Sequence, residues 1–261
     1  MAPVPLKNIK PKDRISLATT PPALKEALIH IFQNAGPGLW LVGGTALAGY
    51  YAEHRRSDDL DLFAITPEAH RAAILAVKSL QKMGAVFSNE RNSPYYYHAD
   101  SRWKNHPFTI DVVLDENIGL TGAAITTGEG VVVADLPTLF SQKAACLISR
   151  ASEKDLFDLD WMFEKRGRID VDEILQAGVQ IDGGMNVEAL LISLQGSVLR
   201  KEACHFLLPQ SKMTPEQAYK KIEKLKKKII ALLLEYEKKQ PLSPEIKALS
   251  AAIKKPKKSS R

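Results

Sequence analysis

Long apolar runs are missing from this 261-residue chain. The longest, Ile229 to Leu234, has six residues. A membrane-spanning helix requires ~20, so none is expected. Residues 1–22 carry prolines and charges rather than the apolar centre of a secretion signal. Cysteine is nearly absent, with Cys146 and Cys204 alone. That excludes a disulfide-built fold and fits two reduced thiols in a cytoplasmic protein. Cys and His nowhere cluster at zinc-ligand spacing, and no Ser-His-Asp arrangement is suggested. The phosphate-loop lysine and the dinucleotide glycine fingerprint are both absent, as is any internal repeat.

What is present is an ordinary globular balance, 45% hydrophobic and 25% charged. The charge is unevenly placed. Residues 212–261 hold fifteen Lys/Arg against five Asp/Glu, a net +10, and the remainder is −4. A basic end on a mildly acidic body suits a polyanionic partner such as RNA. Solvated helix faces would have the same composition.

The pattern reads as α/β first and all-α afterwards, with the change near residue 135. An extended lead-in over 1–20 precedes a helical pattern from Leu24 to Phe32. Leu39–Val42 and Leu60–Ile65 read as short strands, with a helix over Thr45–Glu53 between them. Thr66 caps a helix that has Pro67 at its first position and runs to about Met83. Phe108–Val113 is a third strand, and another lies near Val131–Val133. Val86–Trp103 has no firm assignment beyond the strand propensity of Tyr95, Tyr96 and Tyr97. Helices follow over Asp135–Arg150, Glu153–Lys165, Val171–Ala177 and Val187–Leu207. The last long helix opens at the Thr214–Gln217 capping box and carries the apolar stripe Ala218, Ile222, Leu225, Ile229, Leu232, Tyr236. Ser243-Pro244 starts a final short helix. The units expected are a core over 21–135, a helical region over 136–253 and a basic disordered tail over 254–261.

The chemistry concentrates in one stretch. Leu39-Trp40-Leu41-Val42 ends in Gly43-Gly44-Thr45, and sixteen residues after the first glycine come Asp59 and Asp61, two apart in an apolar run. Glycines at a strand-to-helix turn let backbone N–H groups approach a phosphate. Residues two apart on a strand share a face, with Cα atoms about 7 Å apart. Two carboxylates on one face need cations, and Mg²⁺ takes carboxylate and phosphate oxygens. The other way to neutralise them is an ion pair with Arg55 or Arg56. Asp58 points to the opposite face. Asp111 stands alone in its apolar strand. If that strand lies beside Leu60–Ile65 the three acids converge, and three carboxylates can hold two metals. Lys143 and Arg150 share a helix face. Ser152 to Asp155 fits a capping box, which explains Asp155, whereas Asp158 among apolar neighbours has no such explanation and is the better site candidate.

Gly43-Gly44-Thr45-Ala46-Leu47-Ala48, His54-Arg55 with Ser57 and Asp59-Leu60-Asp61-Leu62-Phe63, then Lys143, Arg150 and Lys154-Asp155 with Asp158-Leu159, resemble the AbiEii/AbiGii nucleotidyltransferase family over about Leu39 to Asp160. That family supplies the toxins of type IV toxin–antitoxin and abortive-infection systems. The resemblance implies a minimal polymerase-β-type nucleotidyltransferase core with a mixed sheet, followed by a helical C-terminal domain. It implies Gly43, Gly44 and Thr45 at the nucleotide phosphates, Ser57 in support, and Asp59 and Asp61 on Mg²⁺ or Mn²⁺. It implies Lys143 at the triphosphate and Asp158 as a catalytic acid. Asp111 is the third acid by analogy with other polymerase-β-type enzymes, as metal ligand or proton acceptor. The expected substrate is an NTP and the expected acceptor RNA, tRNA among the candidates, with an antitoxin as partner. A nucleotide-binding module that has lost transfer, and an Asp-x-Asp sugar transferase, are the competing readings. Tyr95–Tyr97 with Arg102, Trp103 and Lys104, and the lysines at 220 to 228, are candidate RNA contacts.

Overall fold

The computed structural model describes residues 4–239. The helix at Ser243 and the tail from Lys254 lie outside the described residues. Fifteen longer elements follow in chain order: α1 (Pro22–Ala35), β1 (Leu39–Val42), α2 (Gly43–Ala46, continued as a π-helical turn over Leu47–Ala52), β2 (Asp59–Ala64), α3 (Pro67–Ser79), β3 (Val86–Asn92), β4 (Tyr96–Trp103), β5 (His106–Leu114), β6 (Ala124–Thr126), β7 (Val132–Ala134), then α4 (Leu136–Ser149), α5 (Glu153–Arg166), α6 (Val171–Val179), α7 (Val187–Gly196) and α8 (Pro215–Lys239). No helix among the described residues is long and apolar enough to cross a membrane.

The strands form one seven-stranded mixed sheet in the order β3-β4-β5-β2-β1-β7-β6. β2 runs parallel to β5 and antiparallel to β1. Alternation decides the faces. Leu60 and Leu62 of β2, Ile110 and Val112 of β5, and Tyr97 and Ala99 of β4 are fully buried. That face packs on α3, which lies against β1, β2 and β5 and against α1. Removing such side chains from water contributes roughly 1.5–3 kcal/mol each. The opposite face carries Asp59, Asp61, Thr109, Asp111, Tyr96 and His98, all half-buried or exposed.

Caps set the helix starts. Thr66 accepts from Ala69 N, Asp135 from Thr138 N and Ser152 from Asp155 N, each satisfying a donor that has no partner inside the helix. Three boundaries differ from the sequence reading. The helix after β1 starts at Gly43 itself. The pattern over Val187–Leu207 divides, because α7 ends at Gly196 and Ser197 turns extended, with a short 3-10 turn at Lys201–Cys204. Val86–Trp103 is an antiparallel pair, β3 and β4, with a bulge between Ser88 and Arg91.

Candidate active site

The turn after β1 shows why it needs two glycines. Gly43 has φ +64°, and a Cβ there would stand 1.9 Å from Asp61 Oδ2. A Cβ on Gly44 would stand 2.6 Å from an Arg55 terminal nitrogen. One glycine makes room for an acid and the other for an arginine. Thr45 is fully buried, and its hydroxyl bonds the Asp59 carbonyl and lies 3.0 Å from Ser57 Oγ. Thr45 and Ser57 therefore tie the glycine turn to the start of β2. The Thr45 hydroxyl is directed inward, into this tie.

Parallel pairing of β2 with β5 sets Asp61 opposite Asp111 and Asp59 opposite Thr109, so all three acids share one sheet face. Their partners differ. Asp59 accepts from Thr109 Oγ1 at 3.0 Å and pairs with Lys154 at 3.6 Å. Asp111 Oδ1 accepts from Tyr96 OH at 2.5 Å and lies 2.8 Å from His98 Nδ1. Asp61 has no hydrogen-bond or ion-pair partner among the described residues. Burial first, then the Asp59 charge, pushes its carboxyl up to about 6, against the opposing pull of Lys143. Neither arginine neutralises the pair: Arg55 binds Asp158, and Arg56 lies 3.6 Å from Asp58.

An uncompensated carboxylate beside a second one is the donor set of a hard divalent cation. Mg²⁺ is commonly held by one or two carboxylates with substrate phosphates completing its shell. Asp59 and Asp61 fit that description. A cage of three carboxylates is not preformed, since no group of three or more His, Cys, Asp or Glu among the described residues is placed to hold one ion. The expectation of Asp111 as a third metal ligand is corrected to this extent: Tyr96 and His98 bind its Oδ1 from the β4 side.

Behind the acids lies a buried charge network. Asp158 is fully buried. Its Oδ1 lies 2.6 Å from Arg55 Nε and 2.8 Å from His54 Nε2. Its Oδ2 lies 2.8 Å from the Arg55 guanidinium and 2.8 Å from Lys143 Nζ. A carboxylate has about four acceptor sites, and all are taken. Asp158 is thus a positioning residue rather than an acid facing substrate, which corrects its expected catalytic role. Asp155 is buried as well. It accepts from Lys143 at 2.8 Å, from Arg150 Nε at 2.7 Å and from Ser152 Oγ at 2.6 Å. Its place in the capping box was therefore only part of its explanation. Burial alone would raise both carboxyls. The Arg55 and Lys143 charges hold Asp158 well below the usual carboxylate range, and the Lys143 charge and Arg150 hold Asp155 there. Lys143 spends two of its three N–H groups on these aspartates, which keep it charged despite burial.

A cavity of about 360 Å³ opens between this network and the sheet, lined by Gly43, Asp61, Phe63, Lys143, Cys146 and Arg150 among others. Of the expected nucleotide-binding set it gathers Gly43 and Lys143. Gly44, Thr45 and Ser57 stand behind it. Arg150, its side chain 61% exposed and held by Asp155, is a cation at the cavity wall whose role was not assigned from sequence. Lys154, beside Asp59 and outside the cavity lining, is a second cation without an assigned role. Their signal was the shared helix face with Lys143 and the Lys154-Asp155 pair. A recess of about 630 Å³ lies beside α3, but no acid lines it.

The basic helix is only partly free. On α8, Lys220 pairs with Glu216, Lys227 with Glu223, and Lys221 with Asp160 and Glu164, and Lys226 binds the Ser197 carbonyl. Lys221 also lies over Phe157. Lys224 and Lys228 remain exposed.

Comparison with known proteins adds three findings. The family model for the nucleotidyl transferase AbiEii toxin of type IV toxin–antitoxin systems matches residues 27–227. A search of curated proteins found no match. Among solved structures, the nucleotidyltransferase toxin MenT4 of Mycobacterium tuberculosis is similar at TM-score 0.51 and 16% identity, covering 80% of each chain. JHP933 of Helicobacter pylori is similar at TM-score 0.46 and 18% identity, covering 86% of this chain and 94% of its own. At such identities MenT4 speaks for the fold alone.

Proposed function

The chain belongs to the AbiEii nucleotidyltransferase toxin family of type IV toxin–antitoxin systems, and from that premise we propose that it transfers an NMP from an Mg²⁺-bound NTP to the end of an RNA. The unpartnered Asp61, seated beneath Gly43 and beside Asp59 at the mouth of the cavity, is the observation that carries this reading.

The triphosphate would enter between Gly43 and α4. Arg150 and the remaining N–H of Lys143 would meet its negative charge, and Asp59 and Asp61 would hold the cation. When bound, Mg²⁺ neutralises the charge that develops on the phosphate oxygens, the main requirement of this class of reaction. The acceptor hydroxyl attacks the α-phosphorus. A new phosphorus–oxygen bond forms as the α–β bridging bond breaks, and pyrophosphate leaves. The hydroxyl proton passes to a carboxylate on the acceptor side, a role that Asp111 suits because its Oδ2 has no hydrogen-bond partner among the described residues. Gly43 excludes any side chain between Asp61 and the cavity. Asp155 and Asp158 fix Arg150, Lys143 and Arg55 without touching substrate.

The test is incubation with each labelled NTP, Mg²⁺ and total cellular RNA. Wild type should label RNA, with Asp59→Ala and Asp61→Ala reduced by at least about 100-fold. Equal labelling by all three proteins across the four NTPs defeats the reading. Induced expression should arrest bacterial growth for wild type and not for Asp61→Ala, and a neighbouring gene should encode the antitoxin.

A further inference from the structure

Asp111 is the one acid of the three that two side chains of a neighbouring strand hold at a single oxygen. β4 pairs antiparallel with β5 so that His98 stands directly opposite Asp111 and Tyr96 opposite Val113. Tyr96 is thus the diagonal neighbour of Asp111, about 7–8 Å away between backbones and within reach of an aromatic side chain. Both donors converge on one atom. Tyr96 OH lies 2.5 Å from Asp111 Oδ1, and His98 Nδ1 lies 2.8 Å from the same oxygen. A carboxylate can only accept, so this imidazole carries its proton on Nδ1. The two rings are stacked, 6.4 Å between centroids and 17° apart in plane. Asp100 Oδ1 stands 3.4 Å from His98 Nε2, on the other side of the ring. Two donors fill Oδ1, and Oδ2 has no hydrogen-bond partner among the described residues.

We propose that Tyr96 and His98 are positioning residues that hold Asp111 by its Oδ1 and leave its Oδ2 for the acceptor hydroxyl. The assignment rests on the transfer reading above and deepens it, because it divides the three acids. Asp59 and Asp61 serve the nucleotide, and Asp111 serves the acceptor. The surface supports that division. On the cavity side of Asp61 the sheet is roofed by α4. On the Asp111 side it continues into β4 and β3, whose residues Tyr96, Arg102 and Arg91 are exposed, and an acceptor strand has room to lie there.

The test uses the full chain with Tyr96→Phe and His98→Asn, singly and together. Each single change should lower kcat for RNA labelling about tenfold, and the pair about 100-fold, the usual range for residues that orient a reacting group. KM for the NTP and Mn²⁺ affinity by electron paramagnetic titration should stay within about twofold, since neither depends on Asp111. Adding Asp111→Ala to the double variant should cost almost nothing more, because residues that act as a unit are not additive. A double variant with wild-type kcat, a full further loss on adding Asp111→Ala, or a tenfold loss of Mn²⁺ affinity in the double variant overturns the proposal. A merely structural pair would lower the melting temperature and leave kcat of the folded protein unchanged, which also overturns it. An independent readout is ¹⁵N imidazole resonance of His98. The Nδ1–H tautomer is expected in wild type and its loss in Asp111→Ala; an Nε2–H ring indifferent to that change refutes the contact. If wild-type protein labels no RNA at all, the transfer reading fails, and the imidazole spectrum and Mn²⁺ titration still decide how Asp111 is held.

Discussion

Asp158→Ala is the perturbation whose size the structure sets most directly. The carboxylate is fully buried and accepts from His54, Arg55 twice and Lys143. Its removal leaves a guanidinium and an ammonium inside the protein, with Lys143 retaining Asp155 and Arg55 retaining only the Arg56 carbonyl at 2.8 Å. Removing one partner of a buried ion pair costs about 3–5 kcal/mol, most of it the uncompensated charge left behind. Domains are stable by roughly 5–15 kcal/mol in total, so the loss is a large fraction. For a protein of this size it corresponds to a fall in melting temperature of about 6–20 °C. Circular-dichroism melts and urea titrations at pH 7 measure it. The pH dependence supplies a second reading. Asp158 and Asp155 are held below their unfolded values, so their contribution is present above about pH 4 and is lost as pH falls through that value towards their folded ones. Wild type should therefore lose stability steeply below about pH 4, and Asp158→Ala less steeply, having one such carboxylate fewer. An Asp158→Ala protein that melts within 2 °C (about the scatter of a neutral surface change) and shows an unchanged acid limb, yet has lost transfer, would refute the reasoning and return Asp158 to the reacting groups.

Three further outcomes follow from contacts already described. Gly43→Ala places a methyl against Asp61 Oδ2 at a position with positive φ, and should cost about 1–2 kcal/mol in backbone strain and abolish Mg²⁺–NTP binding measured by calorimetry. Arg150→Ala should raise KM for the NTP about tenfold with a smaller change in kcat, because Arg150 lines the cavity proposed for the triphosphate while Asp155 keeps Lys143; steady-state kinetics with varied NTP decide it. Lys224→Gln with Lys228→Gln should lower the salt slope of RNA binding by about 0.7 per lost phosphate contact and leave the melting temperature alone, whereas Lys221→Gln, which removes partners of Asp160 and Glu164, should lower the melting temperature and leave the slope. Fluorescence anisotropy over a salt series, paired with melts, separates the two.

Local pattern made much of this protein legible. Alternation along Asp59–Phe63 put both acids on one face, because the strand period is two whatever the strand pairs with. The same rule buried Ile110 and Val112 and left Asp111 on the other side. Thr66, Asp135 and Ser152 announced helix starts because a cap acts within three residues. The glycine pair announced a tight turn. Val86–Trp103 was less legible, since edge strand β3 is exposed along most of its length and the buried positions of β4 include the small residues Ala99 and Ser101, which blur an apolar period, and the α7 stop at Gly196 was masked by the helical residues after it.

The sequence by itself determined that a glycine turn precedes two like-facing carboxylates, since both follow from spacing within one short segment. Only the tertiary structure decided which partners each acid has. Asp61 stays unpaired because Arg55 is claimed by Asp158, more than a hundred residues away in the chain, and sequence distance carries no information about which charge will be desolvated beside which. Asp111 turns towards Tyr96 and His98 because β4 happens to pair with β5 in that register. Three of the six lysines between 220 and 228 are spent on acids of α5 and α8. Charge and period are properties of a segment, but partnership in a low-dielectric interior belongs to the packed whole.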